Sequence, residues 1–227
     1  MRLFHTSPHT SPSALPHTWY QKEETANTIT HLMAFFAMLI GMIFLLKRSQ
    51  LMGSDRTSIA CAIYGASVML TFLTSAIYHS SHAPKLKHVF HVLDHMVIYL
   101  MIAGTYTPFT LVVLQGVWGW SLFAVIWSLA IVGLIFKLFF TGRFILVSTG
   151  IYVLMGWIAV IAIVPILEGL SIGGLFWLIL GGALYTLGVL FFLMERVPFA
   201  HTVWHLFVMA GALAHFICIY EYVALIR

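Results

Sequence analysis

Apolar residues run along this chain in blocks of about twenty, separated by short polar breaks. A helix needs about 20 largely apolar residues to cross a bilayer. Seven blocks reach that length, at about 27–46, 59–79, 92–114, 119–137, 144–166, 174–194 and 200–224. The segments "KRSQLMGSDRTS", "SSHAPKLKH" and "FFTGR" divide three neighbouring pairs, "QGVWG" and "LEGLSIGG" form tight turns, and "ERVPF" ends the sixth block. The pattern predicts an all-α fold, a polytopic bundle of seven transmembrane helices over residues 23–227. Residues 1–22, rich in His, Ser, Thr and Pro, read as a flexible cytoplasmic tail without the apolar core of a signal peptide. No solenoid period is present.

Composition supports the same reading. Of the 227 residues 61% are hydrophobic and 8% charged, whereas a soluble domain carries about 25% charged residues. The net charge of +4 is spread too thinly for nucleic acid, and no basic stripe with interleaved aromatics occurs. The basic residues serve better as topology signals. A cytoplasmic N-terminus puts Arg2, Lys22, Lys85, Lys87, Lys137, Arg143 and Arg196 on the inner face and Lys47, Arg48, Arg56 and Arg227 outside. That balance favours N-terminus in and C-terminus out, although Lys47, Arg48 and Arg56 sit together on the disfavoured side. Cys61 and Cys218 lie in apolar runs and imply no disulfide framework.

The polar residues that survive inside the blocks carry the chemistry. "PFAHTVWHLFVMAGALAHF", Pro198 to Phe216, opens the seventh block with His201 and His205. A polar side chain facing hydrocarbon costs free energy unless something satisfies it. His79 ends the second block and Asp94 opens the third, so all four groups lie at one face and at similar depth. Residues four apart on a helix stand about 6 Å apart on one side, so His201 and His205 can hold one ion. Three neutral imidazoles around Zn²⁺, with a fourth position open to water, is the pattern of catalytic zinc sites. Ser75 sits one turn deeper than His79. Asp94 can orient the water or take its proton, because zinc lowers the water pKa to about 7. No cysteine shares that layer, which favours Zn²⁺, with iron or manganese as other metals for nitrogen and oxygen donors.

Other histidines compete for that role. His91 and His95 are also four apart and flank Asp94; His95 reads as a second-sphere hydrogen-bonding group. His82 and His88 belong to a solvated loop with Lys85 and Lys87. His215 lies about 15 Å beyond His205 along the helix and reads as a satisfied core histidine near Glu221. In "EETANTITH" the residues Glu24, Asn27 and His31 share one helical face and form a polar stripe towards the site. His5, His9 and His17 could gather a metal, but nothing fixes their geometry. Pro108 within "AGTYTPF" kinks the third helix, with Thr105 and Thr107 able to satisfy freed carbonyls.

These motifs together resemble the hemolysin III family, the bacterial branch of the progestin and adiponectin receptor superfamily. The resemblance runs from about Glu23 to the C-terminus. It rests on "EETANTITH", "SAIYH", "LDHMVIYLMIAGTYTPF", "GLIFKL" and "HTVWHLFVMAGALAHF". It implies a seven-helix bundle with a cytoplasmic N-terminus in the bacterial inner membrane. It also implies zinc ligands His79, His201 and His205, with Ser75 and Asp94 beside the metal water. The chain departs from the family after His31, where many bacterial members have glycine and this one has "LMA", and in its Pro/His-rich tail.

Three functions follow as expectations. The first is zinc-dependent hydrolysis of a lipid amide or ester, of the ceramidase type, serving membrane-lipid homeostasis. The second is a non-enzymatic receptor or regulator with structural zinc, and the third a cytolysin. Membrane lipids and a lipidic substrate or ligand are the expected partners. A retinal photoreceptor is excluded by the absence of lysine from helix seven, and an intramembrane serine protease by the sequence context of Ser67 and Ser148.

Overall fold

Seven apolar helices long enough to cross a membrane run through the structure, a computed structural model that describes residues 17–51, 54–114, 116–194 and 196–226. The first four spans are α1 (His17–Leu51), α2 (Asp55–Ser80), α3 (Pro84–Pro108, continued by the π-helical turn Phe109–Leu114) and α4 (Gly116–Phe140). The fifth consists of α5 (Ile145–Trp157), a 3₁₀ stretch Ile158–Ala162 and α6 (Ile163–Gly169). The last two are α7 (Ile172–Phe192) and α8 (Ala200–Cys218), the latter running into a second π-helical turn, Ile219–Val223. No strand occurs among the described residues. Hydrocarbon offers no partner for backbone amides, so helices that satisfy themselves internally are the solution available to such blocks.

The ends of the helices follow local chemistry. Ser54 and Ser171 cap α2 and α7 by accepting the amides of Thr57 and Gly174. Pro84 opens α3, where a missing N–H costs nothing. Two boundaries differ from the sequence pattern. Helix α1 begins at His17, so residues 17–22 are helical where a tail over 1–22 was expected; residues 1–16, with His5 and His9, lie outside the described residues. Helix α3 begins at Pro84 and not near residue 92, so Lys85, Lys87 and His88 decorate its first turns instead of a loop.

Helices α2 and α3 form the centre, with most of their apolar stretch buried, while the other spans turn broad apolar faces outward. That exposure suits lipid, which solvates Phe36, Ile131 and Leu154 as well as a core would. Close packing of α2 on α3 depends on Gly104: a Cβ there would lie 2.0 Å from the Ser67 hydroxyl oxygen. Pro108 sits at the end of α3, and the helix widens into the π-turn directly after it. Thr105 and Thr107 donate to the carbonyls of Met101 and Ala103. They therefore do not serve the Gly104 carbonyl that the proline leaves free.

The interruption of the fifth span is bridged from α3. The Tyr106 hydroxyl donates to the Gly156 carbonyl at 2.9 Å and accepts the Ala159 amide at 3.0 Å. Near the opposite end of the bundle Arg48 pairs with Glu221 at 2.7 Å. His215 donates Nε2–H to the Leu178 carbonyl at 3.1 Å, a core histidine as expected, but one tied to α7 and not to Glu221.

Candidate metal centre

The site forms where the end of α2, the start of α8 and the first turns of α1 meet. Pro198 and Phe199 break the chain ahead of α8. Phe199 adopts a left-handed conformation, φ 61°, which costs a residue with a side chain about 1–2 kcal/mol. Its ring packs edge-on against Trp19 at 5.9 Å. Helix α8 starts directly afterwards, with His201 in its first turn and His205 one turn on. The first amides of a helix lack internal partners, and here α1 supplies one: the His201 amide donates to Glu23 Oε1 at 3.3 Å. The Thr202 hydroxyl donates to Asn27 Oδ1 at 2.6 Å. Two bonds thus register α8 against α1.

His79 enters from the last turn of α2. Its ring lies 5.2 Å from that of His201 and 5.0 Å from that of His205, and the helix-eight pair is 4.7 Å apart, all between centroids. One nitrogen from each of the three falls within 4.8 Å of the others, close enough to bind a single metal ion. His79 Nδ1 is 3.2 Å from Glu24 Oε1. A carboxylate only accepts, so Nδ1 carries the proton and Nε2 keeps its lone pair. That Nε2 makes no hydrogen bond. Lys87 holds the other Glu24 oxygen at 2.5 Å, so a lysine, a carboxylate and an imidazole run in series to the cluster. Carboxylate–histidine pairs of this kind fix ring orientation and raise ligand basicity.

His205 is fully buried. The Asn27 main chain lies close to its ring, but neither ring nitrogen reaches hydrogen-bonding geometry. Buried polar atoms without partners are costly, and a cation among the three imidazoles would relieve them. The donor set, three nitrogens without a thiolate, fits zinc.

The remaining predicted residues surround this centre at different distances. Ser75 is buried one turn before His79, beside the Asp94 carboxyl group, with its hydroxyl short of hydrogen-bonding geometry. Asp94, His79 and His201 line one cavity of about 1780 Å³, larger than the roughly 300–1,000 Å³ of ordinary small-molecule pockets. The helix-one stripe faces the site: Glu24 holds His79, Asn27 holds Thr202, and His31 stacks on His205 at 3.6 Å between centroids. His95 donates Nδ1–H to the His91 carbonyl at 2.9 Å and stands 4.0 Å from Asp94. The His91 and His95 rings touch at 4.6 Å without joining the three-histidine cluster.

Glu23, Lys87 and Thr202 are additions that the sequence pattern did not single out. Glu23 lies one position off the Glu24–Asn27–His31 face, and Lys87 reads from the sequence as a topology charge in a solvated loop. Their partners belong to other helices, so spacing within one segment carries no signal for them.

Comparison with known proteins finds relatives along most of the chain. The family model described as "Haemolysin-III related" matches residues 19–216. The chain is 46% identical over 206 residues to "Hemolysin-3" of Bacillus cereus, covering 91% of this chain and 94% of that protein. It is 31% identical over 206 residues to the human "Monocyte to macrophage differentiation factor", covering 88% and 84%. The Drosophila melanogaster "Adiponectin receptor protein" is 27% identical over 218 residues, 85% of this chain and 49% of that one. No solved structure matches the chain significantly. With bacterial relatives and seven apolar helices, the chain is a multi-pass membrane protein, in keeping with the bacterial inner membrane.

Proposed function

The chain belongs to the haemolysin-III related family, and we propose that it is a zinc-dependent hydrolase acting on a lipid amide or ester in membrane-lipid homeostasis. The observation that carries this reading is the convergence of His79, His201 and His205 within 4.8 Å, on the wall of a large cavity that also holds Asp94. Those three imidazoles would hold the zinc. When bound, zinc lends Lewis acidity and acidifies a water to a pKa near 7.

The chain's own residues supply the rest. Asp94 takes a proton from the attacking water and passes it to the leaving group. Ser75, with an uncommitted hydroxyl beside Asp94, donates to the oxyanion that develops on the acyl carbonyl. Glu24 holds His79 in the tautomer that offers Nε2. The cavity is lined on other sides by Met101, Ile102 and Val153, which suit an acyl chain entering sideways from the bilayer. The basic-residue balance supports a site at the cytoplasmic leaflet.

The test is metal analysis of purified protein together with fatty-acid release from ceramide-type and ester lipids. Stoichiometric zinc and turnover are expected, both lost in His205→Ala. Turnover that survives complete metal stripping would overturn the reading. One observation favours a second reading, a regulator in which zinc is structural: the cluster ties α2 to α8 while Glu23, Glu24 and Asn27 tie both to α1. In that case His205→Ala lowers the unfolding temperature and no lipid is cleaved by the wild type.

A further inference from the structure

Lys137 occupies the last turn of α4 and is 1% exposed. A lysine near the end of a membrane helix ordinarily snorkels its ammonium to the headgroup layer. This one does not: Nζ turns inward and donates to the Ser148 hydroxyl at 2.8 Å. Ser148 is itself committed as a donor to the carbonyls of Phe144 and Ile145, so it offers the ammonium a neutral lone pair. Among the described residues, no carboxylate lies within ion-pairing distance of Lys137. An ammonium has three donors, and one is used. A cation held out of water is stable only when paired and hydrogen-bonded.

The counter-charge can come from the cavity. Lys137, Thr141, Arg143 and Ser148 line the same cavity as His79 and Asp94. Successive spans run in opposite directions, so the end of α4, the end of α2 and the start of α8 share one membrane face. Arg143, in the turn after α4, is exposed and adds a second cation to that wall.

We propose that Lys137 and Arg143 bind the oxyanion end of a lipid whose acyl chain occupies the cavity. Lys137 supplies the buried point charge and Arg143 a planar set of donors suited to phosphate or carboxylate. A phospholipid headgroup and a fatty acid share this chemistry. The inference deepens the hydrolase reading by giving its lipid a negative end, and it rests on that reading only for the occupancy of the cavity, since no turnover is required.

Thermal unfolding of the full-length protein in neutral detergent tests it, with phosphatidylglycerol, palmitate, phosphatidylcholine and inorganic phosphate as separate probes. Phosphatidylglycerol, palmitate or both are expected to raise the unfolding temperature, while phosphatidylcholine and inorganic phosphate are not. Lys137→Met, which removes the charge at similar length, abolishes the response, and Lys137→Arg retains it. Lys85→Met, at an exposed position, leaves it intact. Arg143→Gln, where folding is not at stake, raises the lipid concentration for half-maximal response about tenfold; should Lys137→Met fail to fold, this variant decides. The response persists in His205→Ala, which separates it from the fate of the zinc hydrolase. A wild-type response in Lys137→Met or Arg143→Gln, an equal response to phosphatidylcholine, or one produced by inorganic phosphate alone would overturn the proposal.

Discussion

At the scale of single residues, the series Lys87–Glu24–His79 sets how well the centre can hold a metal. Glu24→Gln keeps the side-chain size but removes the charge that fixes His79, and metal affinity is expected to fall about 10–100-fold in chelator competition. Lys87→Met leaves Glu24 on His79 and is expected to cost less than Glu24→Gln in the same assay. The convergence of the three histidines was legible in the sequence. His79, His201 and His205 are conspicuous because each interrupts an apolar block at one depth, where a polar atom is expensive. Glu23 and Lys87 were not legible. Both stand among other polar residues at a helix start, where charge is cheap, and each acquires meaning only from a partner on another span.

At the scale of elements, the site depends on how closely α2 and α3 approach, since these carry His79, Ser75 and Asp94. Gly104→Ala places a methyl against the Ser67 hydroxyl, whose own bond to the Tyr64 carbonyl at 2.7 Å resists movement. The expected loss is about 1–3 kcal/mol, read as a lower unfolding temperature, with weaker metal retention as His79 shifts away from His201 and His205. Block lengths foretold the existence and order of the spans, because twenty apolar residues have few other uses. Their interiors were less legible. Pro108 announced a distortion of α3, yet its threonines bond to carbonyls other than the freed one. In the fifth block, Pro165 in α6 lacks the N–H that would reach the Ile161 carbonyl, and the 3₁₀ stretch Ile158–Ala162 ends beside it. The surrounding Ile, Ala and Val residues hid that break, since apolarity alone does not distinguish one helical winding from another.

At the scale of the whole molecule, a metal at the three-histidine centre joins spans distant in sequence, so binding and folding are linked. Zinc at about 100 times its dissociation constant is expected to stabilise the protein by about 2.7 kcal/mol. Differential unfolding in detergent measures this, and His79→Ala should erase it. The basic-residue count that set the expected orientation has no such internal check, because a bundle contains no sign of which side faces the cytoplasm; protease access to the N-terminal segment in sealed vesicles would decide it. The phenol of Tyr106 has a consequence of its own. By supplying the donor that the Gly156 carbonyl and the acceptor that the Ala159 amide would otherwise find along their own helix, it makes the third and fifth spans incomplete without each other. Drawn apart in hydrocarbon, each would carry a stranded dipole. The two are therefore expected to enter the assembling bundle as a couple, and Tyr106→Phe, at about 1–3 kcal/mol, to leave them strangers.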